Sequence, residues 1–418
     1  MKVFKFGGAS VKDAAGVKNV AQVIKTTQEK ELLIVVSAMG KMTNALEVVV
    51  TDYFRSPENI EASVQVVYDY QHDILSNLFP NTAHPIFGRV KELFLEMKRF
   101  LASTKSQNHA YVYDQVVSYG ELVSSAIVAT YLASEGLENT LLDVRSCIKT
   151  DGNYRDAKVD WEQTQLHIVN KVAPSKITIT QGFLGSESEN NFTTTLGREG
   201  SDYTAAIFAY CLNAASVTIW KDVPGVLNAD PRYFSDTTLL HHISYREAIE
   251  LAFYGASVIH PKTLQPLQRK EIPLYVKSFL APLEAGTCVG KGVALDPMTS
   301  CFILKRDQVL ISLSSLDFSF IMEDSISEVF RWLHEYKMKV ELIQNSAISF
   351  SVCVDNKFDN LNPLLAKLRA NFEVKWNEGV TLYTVRHSQP EEIRALIENK
   401  NVLLKQESRE TVQLVIKE

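Results

Sequence analysis

Apolar residues change their spacing along this chain in a way that gives it two rhythms. Near the start, the short β-rich runs KVFKF (2 to 6) and ELLIVVS (31 to 37) flank DAAGVKNVAQVIKTTQEK, where Val17, Val20, Ala21 and Ile24 recur at helical spacing. Strand, helix, strand in that order predicts a βαβ unit. Helical segments follow across residues 60 to 135, the clearest being VYDQVVSYGELVSSAIVATYLASEG with its glycine stop. Strand-like runs return in NTLLDVR, KITITQGFLG and SVTIWKD, with helix-like SDYTAAIFAYCLNA leading into the last. Strands alternating with helices predict an α/β fold, a mainly parallel sheet sandwiched by helices.

The second rhythm begins after APLEAGTCVGKGVALDPMTS, a stretch rich in Gly, Pro and small residues, which places a domain boundary at its end. The expected domains are 1–298 and 299–418. Beyond the boundary come strand VLISLSS, helix DSISEVFRWLHEY, strands KVELI and AISFSVCVD, helix LNPLLAKLRA and strand FEVKWN. This βαββαβ order is a ferredoxin-like α+β unit. A second, shorter unit follows in VTLYTVR, PEEIRALIEN, NVLLKQE and TVQLVIKE. The Phe and Trp residues of EVFRWLHEY sit at helical spacing and are expected in the core.

Composition narrows the functional classes. A chain of 418 residues exceeds one ordinary core, and 46% hydrophobic with 22% charged residues fits a folded globular protein. The balance of 43 Lys+Arg against 49 Asp+Glu gives −6, with no basic run to track a phosphate backbone, so nucleic acid is not an expected partner. Five scattered cysteines, never in CxxC spacing, read as free thiols of a reducing cytoplasm. The start lacks the apolar stretch of a signal peptide, and no membrane span is expected.

KFGGAS (5 to 10) sits where a strand ends and a helix is expected to begin. Two glycines let successive backbone N–H groups turn toward one concavity, a helix N-terminus adds positive potential, and Lys5 adds a full charge. That combination suits a polyphosphate, although a GG pair alone equally marks a tight turn. TTTLGREGSDYTAA (193 to 206) is a second glycine-punctuated loop opening a helix, with Arg198, Ser201 and Asp202 at its mouth. WKDVPGVLNADPR (220 to 232) follows a third strand and carries Asp222, Asp230 and Arg232. Three such loops at the C-terminal ends of strands in one sheet are where an open α/β fold binds ligands.

With VSAMGKMTN, SYGELVSS, ITQGFLGS and YGASVIHPKTL, these loops give a sequence that resembles the aspartate kinases (aspartokinases) of the amino-acid kinase superfamily. The resemblance covers residues 1–298 well and the remainder loosely. It implies the amino-acid kinase fold followed by paired ferredoxin-like ACT modules. It also implies the activity: phosphorylation of the side-chain carboxylate of L-aspartate by ATP, giving 4-phospho-L-aspartate and ADP for lysine, threonine and methionine biosynthesis. By resemblance Lys5 stabilises the transferring phosphoryl group and Asp202 orients that lysine. Thr43, Glu121, Arg198 and Ser201 bind aspartate, with Arg198 on the α-carboxylate and Glu121 on the α-ammonium. Lys5, Gly7, Gly8, Lys221, Asp222 and Arg232 bind the nucleotide. Mg²⁺ is expected with ATP, held by phosphate and water instead of a protein cage, so no metal ligands are assigned.

Three positions depart from the family's pattern: Ala9 and Lys221 stand where threonine is usual, and Ser257 where several relatives carry a lysine. Among effector-sensing relatives a glycine-containing loop precedes the first regulatory helix, whereas SFIMEDSIS here has none. The second ACT-like module looks shortened, CFILK (301 to 305) is expected to complete its sheet, and Asn345 and Ser346 are candidate contacts for a small amino acid. The expectation is a weak or silent sensor and a homodimer formed through these sheets. A fused homoserine dehydrogenase is not expected, since no GxGxxG occurs. The rival readings are a kinase for glutamate or an acetylated amino acid, and a nucleotide- or amino-acid-binding regulator without catalysis. Arg198 with Glu121 disfavours the first, Lys5 with Asp202 the second.

Overall fold

The run KVFKF forms the strand Lys2–Phe6, and it lies inside a sheet, paired in parallel with Leu32–Val36 on one side and Ser216–Lys221 on the other. Both of its faces are covered, and alternation sends Phe4 and Phe6 to one side, where their rings pack on Trp220 at 5.4 and 6.0 Å. Lys5 takes the opposite face. Of the strand's two lysines, Lys2 sits at its start and pairs with Glu29 at 2.5 Å, whereas Lys5 is flanked by Phe4 and Phe6 with little solvent and needs a partner of its own.

The computed structural model describes residues 1–173, 176–256, 259–317 and 320–417. They group into two units, Met1–Val226 with Leu239–Ile249 and Ser257–Pro297, and Leu227–Thr238 with Glu250–Ala256 and Met298–Glu418. The sheet of the first unit runs His242–Ser244, Thr287–Gly290, Leu274–Ser278, Ser216–Lys221, Lys2–Phe6, Leu32–Val36, Ile177–Gln181, Asn139–Leu142. Every neighbouring pair is parallel except Leu274–Ser278 with Thr287–Gly290.

The region 60 to 135 resolves into three helices, Ile60–Leu78, Pro85–Ser103 and His109–Ser134. The last starts where the Asn108 side chain accepts from the Tyr111 amide, and it stops at Gly136 with φ +78°. It is long and apolar enough to cross a membrane, contrary to the expectation that no segment is, but 83% of its apolar window is buried inside the protein. It is the core helix of the first unit.

Two local expectations change. The α-helix after KFGGAS begins only at Ala14, capped by Asp13 accepting from the Gly16 amide at 2.7 Å; the loop leads first into a 3₁₀ turn, Gly8–Val11. KITITQGFLG is not one strand either. It breaks after Gln181 because Phe183 adopts φ +69°, and Leu184–Glu187 enters a second, three-stranded sheet with Lys149–Thr150 and Thr193–Thr195.

The second unit carries a six-stranded antiparallel sheet, Lys339–Asn345, Ser349–Asp355, Cys301–Ser314, Glu373–Arg386, Thr411–Lys417, Asn401–Glu407. Its two central strands are long. CFILK and VLISLS form one strand, FEVKWN and VTLYTVR another, and the register between them shifts around Lys305 to Leu310, with Asp307 at φ +55° and Gly379 at φ +62°. CFILK pairs with Leu382–Arg386, completing the second module's half of the sheet. Trp332 is 4% exposed in the core beneath Leu361, Leu364 and Leu368, while Phe330 is 36% exposed at its rim.

Candidate active site

One cavity of about 440 Å³ opens at the C-terminal ends of the first unit's central strands, and it gathers Lys5, Gly8, Thr43, Glu121, Arg198, Ser201 and Asp202. Residues almost 200 positions apart meet because parallel strands deliver every following loop to the same edge.

Lys5 finds its partner here. Its Nζ lies 2.6 Å from Asp202 Oδ1, and the two side chains are 12% and 5% exposed. Removing one member of such a pair leaves an uncompensated charge, typically costing about 3–5 kcal/mol. Gly7 leaves the ammonium accessible, since a Cβ there would stand 3.1 Å from Nζ. Gly8 is required by close approach, as its Cβ would meet the carbonyl oxygens of Gly40 at 2.7 Å and Ala38 at 2.9 Å.

Asp202 occupies the first turn of the helix Gly200–Leu212. The chain enters that helix through Gly197 at φ +79° and Glu199 at φ +53°, and no side chain caps its first amides. The Gly200 and Asp202 amides donate to the Gly197 and Glu199 carbonyls, both at 3.0 Å, which leaves the Ser201 amide as the first-turn donor for an anion. Glu199 instead accepts from the His260 amide at 2.8 Å, tying the loop to the start of the helix Pro261–Lys270. Arg198, between the two left-handed residues, is exposed and makes no hydrogen bond or ion pair to another described residue.

Glu121 faces the cavity from the core helix at 2% exposure. Its Oε1 accepts from the Ala38 amide at 3.3 Å, while Oε2 has no hydrogen-bond partner among the described residues. Burial pushes the carboxyl up to about 8, against the pull of the Ala38 amide. Gly120 lets the helix approach, since a Cβ would lie 3.1 Å from Ala38 Cβ and 3.2 Å from Leu46 Cδ1. Thr43 lies in the first turn of the helix Met42–Arg55, half-buried at the cavity wall.

The remaining assigned residues lie elsewhere. Gly7 adjoins Lys5 but does not line the cavity, nor do Lys221, at the end of its strand, and the exposed Asp222. Arg232 belongs to the second unit, where Asp230 accepts from its Nε and Nη2 and is held below the usual carboxylate range by that contact. Ser257 lies outside the described residues. Among those residues no group of three or more His, Cys, Asp or Glu is placed to hold a metal ion.

Sequence reasoning missed Phe183, Tyr113 and Arg155, which also line the cavity. Phe183 lies within a motif already quoted, and its left-handed backbone is fixed by its amide donating to Thr204 Oγ1 at 3.0 Å and its carbonyl accepting from Leu196. Arg155 lies in a stretch without a motif.

A parallel sheet whose loops gather a largely buried lysine, a helix start without a side-chain cap, a free arginine and a buried carboxylate defines a kinase for a small charged acceptor, and the Amino acid kinase family model matches residues 1–278. The chain is 33% identical over 392 residues to the lysine-sensitive aspartokinase 3 of Escherichia coli K12, covering 91% of this chain and 85% of that one. Two solved structures of E. coli aspartokinase III agree. The complex with lysine and aspartate (T-state) gives a TM-score of 0.84 at 29% identity over 99% of this chain and 95% of that one. The complex with aspartate and ADP (R-state) gives 0.82 at 29% over 100% and 96%. The chain belongs to the aspartokinases.

Proposed function

We propose that this cavity phosphorylates the side-chain carboxylate of L-aspartate with ATP, and that Lys5, Asp202, Glu121 and Arg198 divide the work by charge. The observation that carries this is the pairing pattern: Lys5 is held by Asp202, while Arg198 and the Glu121 Oε2 atom are left for a ligand. A zwitterion with a second carboxylate matches that set. Its α-carboxylate goes to Arg198, its ammonium to Glu121, with Thr43 and Ser201 adding hydrogen bonds, and its β-carboxylate points toward Lys5. The attacking oxygen is already ionised at neutral pH, so the reaction needs alignment and charge neutralisation more than a base. Lys5 supplies a positive charge for the transferring phosphoryl group, and the Gly7-Gly8 turn and the Ser201 amide supply donors. Lys221, Asp222 and Arg232 remain the proposed nucleotide contacts. Mg²⁺ enters on ATP, with phosphate and water as its main ligands.

The test is ADP release with aspartate, glutamate and acetylglutamate in parallel. One extra methylene should cost glutamate roughly 10- to 200-fold in kcat/KM. Acetylglutamate, lacking an ammonium for Glu121, should give no turnover above background. Preference for either rival would overturn the assignment.

The kinase domain is proposed as 1–298 and the tandem ACT-like region as 299–418, working as a homodimer in the cytoplasm. The exposed apolar side chains Leu316, Phe320 and Met322 support association through the antiparallel-sheet unit. Relatives bind amino acids, and the E. coli aspartokinase III structure with lysine makes lysine the first effector to test. The helix Glu323–Glu335 carries Glu323 and Asp324 in its first turn, a negative charge that disfavours an effector's carboxylate at that end. Titration of lysine, threonine and methionine to millimolar levels at sub-saturating aspartate should show little inhibition by threonine or methionine. Strong inhibition by either would contradict the weak-sensor reading.

A further inference from the structure

The cavity holds a second arginine whose backbone and side chain are separately accounted for. Arg155 has φ +70°, a left-handed conformation unusual for a long side chain. What imposes it is Asp114, fully buried on the core helix, whose carboxylate accepts from the Arg155 amide at 3.0 and 3.2 Å. The same carboxylate accepts from Thr195 N and Thr195 Oγ1, both at 2.8 Å. Asp114 therefore fastens the Arg155 turn to the strand that leads into the Gly197–Asp202 loop. Its acceptor capacity is taken by backbone and hydroxyl donors, so the guanidinium does not fold back onto it.

The Arg155 guanidinium lies 4.0 Å from the centroid of the Tyr113 ring and lines the cavity with Arg198 and Glu121. Its carboxylate partner, Glu47, is 3.4 Å away, and the two side chains are 44% and 48% exposed. An ion pair that long and that wet is easily exchanged for a better one. The Tyr113 side chain packs against the guanidinium and holds it at the cavity wall.

We propose that Arg155 is a specificity-determining residue of the acceptor site, exchanging Glu47 for a carboxylate of the bound amino acid and acting beside Arg198. This rests on the acceptor site proposed above. It gives the site two guanidinium groups facing one ammonium-binding carboxylate, an arrangement that selects an amino acid carrying two carboxylates over one carrying a single carboxylate.

The experiment uses the full chain with Arg155→Gly, because glycine adopts φ +70° without strain and keeps the amide that Asp114 holds. Arg155→Gly should raise the KM for aspartate on the order of 10-fold, with kcat and the KM for ATP within about twofold of wild type. Its Tm should equal or exceed that of wild type. Glu47→Gln, which releases the guanidinium, should leave the KM for aspartate equal or lower. An unchanged aspartate KM in Arg155→Gly overturns the proposal. So does a fall in Tm with both KM values raised together, since that is a structural role. Arg198→Ala run in parallel separates the two levels: if it leaves the aspartate KM unchanged, the acceptor site itself is misplaced, whereas a raised KM there with a silent Arg155→Gly removes Arg155 alone.

Discussion

Lys5→Ala should lower kcat on the order of 10²- to 10³-fold while ATP still binds measurably. The size follows from where the charge sits. A preorganised donor aimed at charge that develops in the transition state is worth far more in a water-poor site than in solution, and losing one commonly costs that much. Lys5 Nζ is fixed by Asp202 at 2.6 Å with little solvent around either group, so the ammonium needs no reorganisation when the phosphoryl group arrives. Removing it also leaves the Asp202 carboxylate buried beside the incoming phosphate, which adds repulsion. Lys5→Ala with Asp202→Asn should therefore be less impaired relative to Asp202→Asn than Lys5→Ala is relative to wild type. Steady-state kinetics with a parallel nucleotide titration decides it, and near-normal turnover in Lys5→Ala would remove the role.

The second large effect concerns Glu121 and Arg198. Arg198→Ala and Glu121→Gln should each raise the KM for aspartate far more than that for ATP, whereas equal changes in both would place the acceptor pocket elsewhere. Glu121 adds a pH signature. Burial raises its carboxyl to about 8, so at neutral pH the free enzyme holds it largely protonated, and an incoming ammonium must displace that proton. The KM for aspartate should fall as pH rises from about 6.5 to 8.5, and Glu121→Gln should be high and flat over the same range. Stability should move the opposite way. A carboxyl whose folded pKa exceeds its unfolded value, 4.5 against about 8, binds more protons folded than unfolded between those limits, so its contribution is present below 4.5 and lost as pH climbs through 8. The Tm of Glu121→Gln should therefore gain on wild type across that window. A difference that does not change with pH would show that the buried carboxylate is already ionised.

Much of this architecture is legible in the sequence, for reasons that differ by element. The parallel sheet could be read because apolar runs and helical spacings are local signals, and KVFKF and ELLIVVS carry them directly. Where the readings failed, a tertiary cause outweighed the local one. KITITQGFLG looks continuous because nothing in its composition announces φ +69° at Phe183, which is set by Thr204 and Leu196. CFILK and VLISLS read as two strands, but pairing with the equally long Glu373–Arg386 carries one strand through the irregularity at Asp307.

The site divides in the same way. Lys5 and Asp202 are almost 200 residues apart, and neither shows in isolation that it needs the other. Their roles came from motif resemblance, and the structure supplies the 2.6 Å contact. Glu121 taken alone is one more helix glutamate, and only burial on the core helix gives it a reason to bind an ammonium. Arg155 carried no signal at all, because its place depends on Asp114, which reads as an ordinary polar residue in a helix until its four accepted hydrogen bonds are traced.

The most direct measurement concerns the product itself. Incubating the enzyme with ATP, Mg²⁺, L-aspartate and hydroxylamine traps an acyl phosphate, because hydroxylamine attacks the acyl carbon and releases phosphate to leave a hydroxamate. The expected product is the β-hydroxamate of aspartate, formed in step with ADP and reduced in Lys5→Ala as far as ADP release is. The α-hydroxamate, or ADP release without any hydroxamate, would contradict transfer to the side-chain carboxylate.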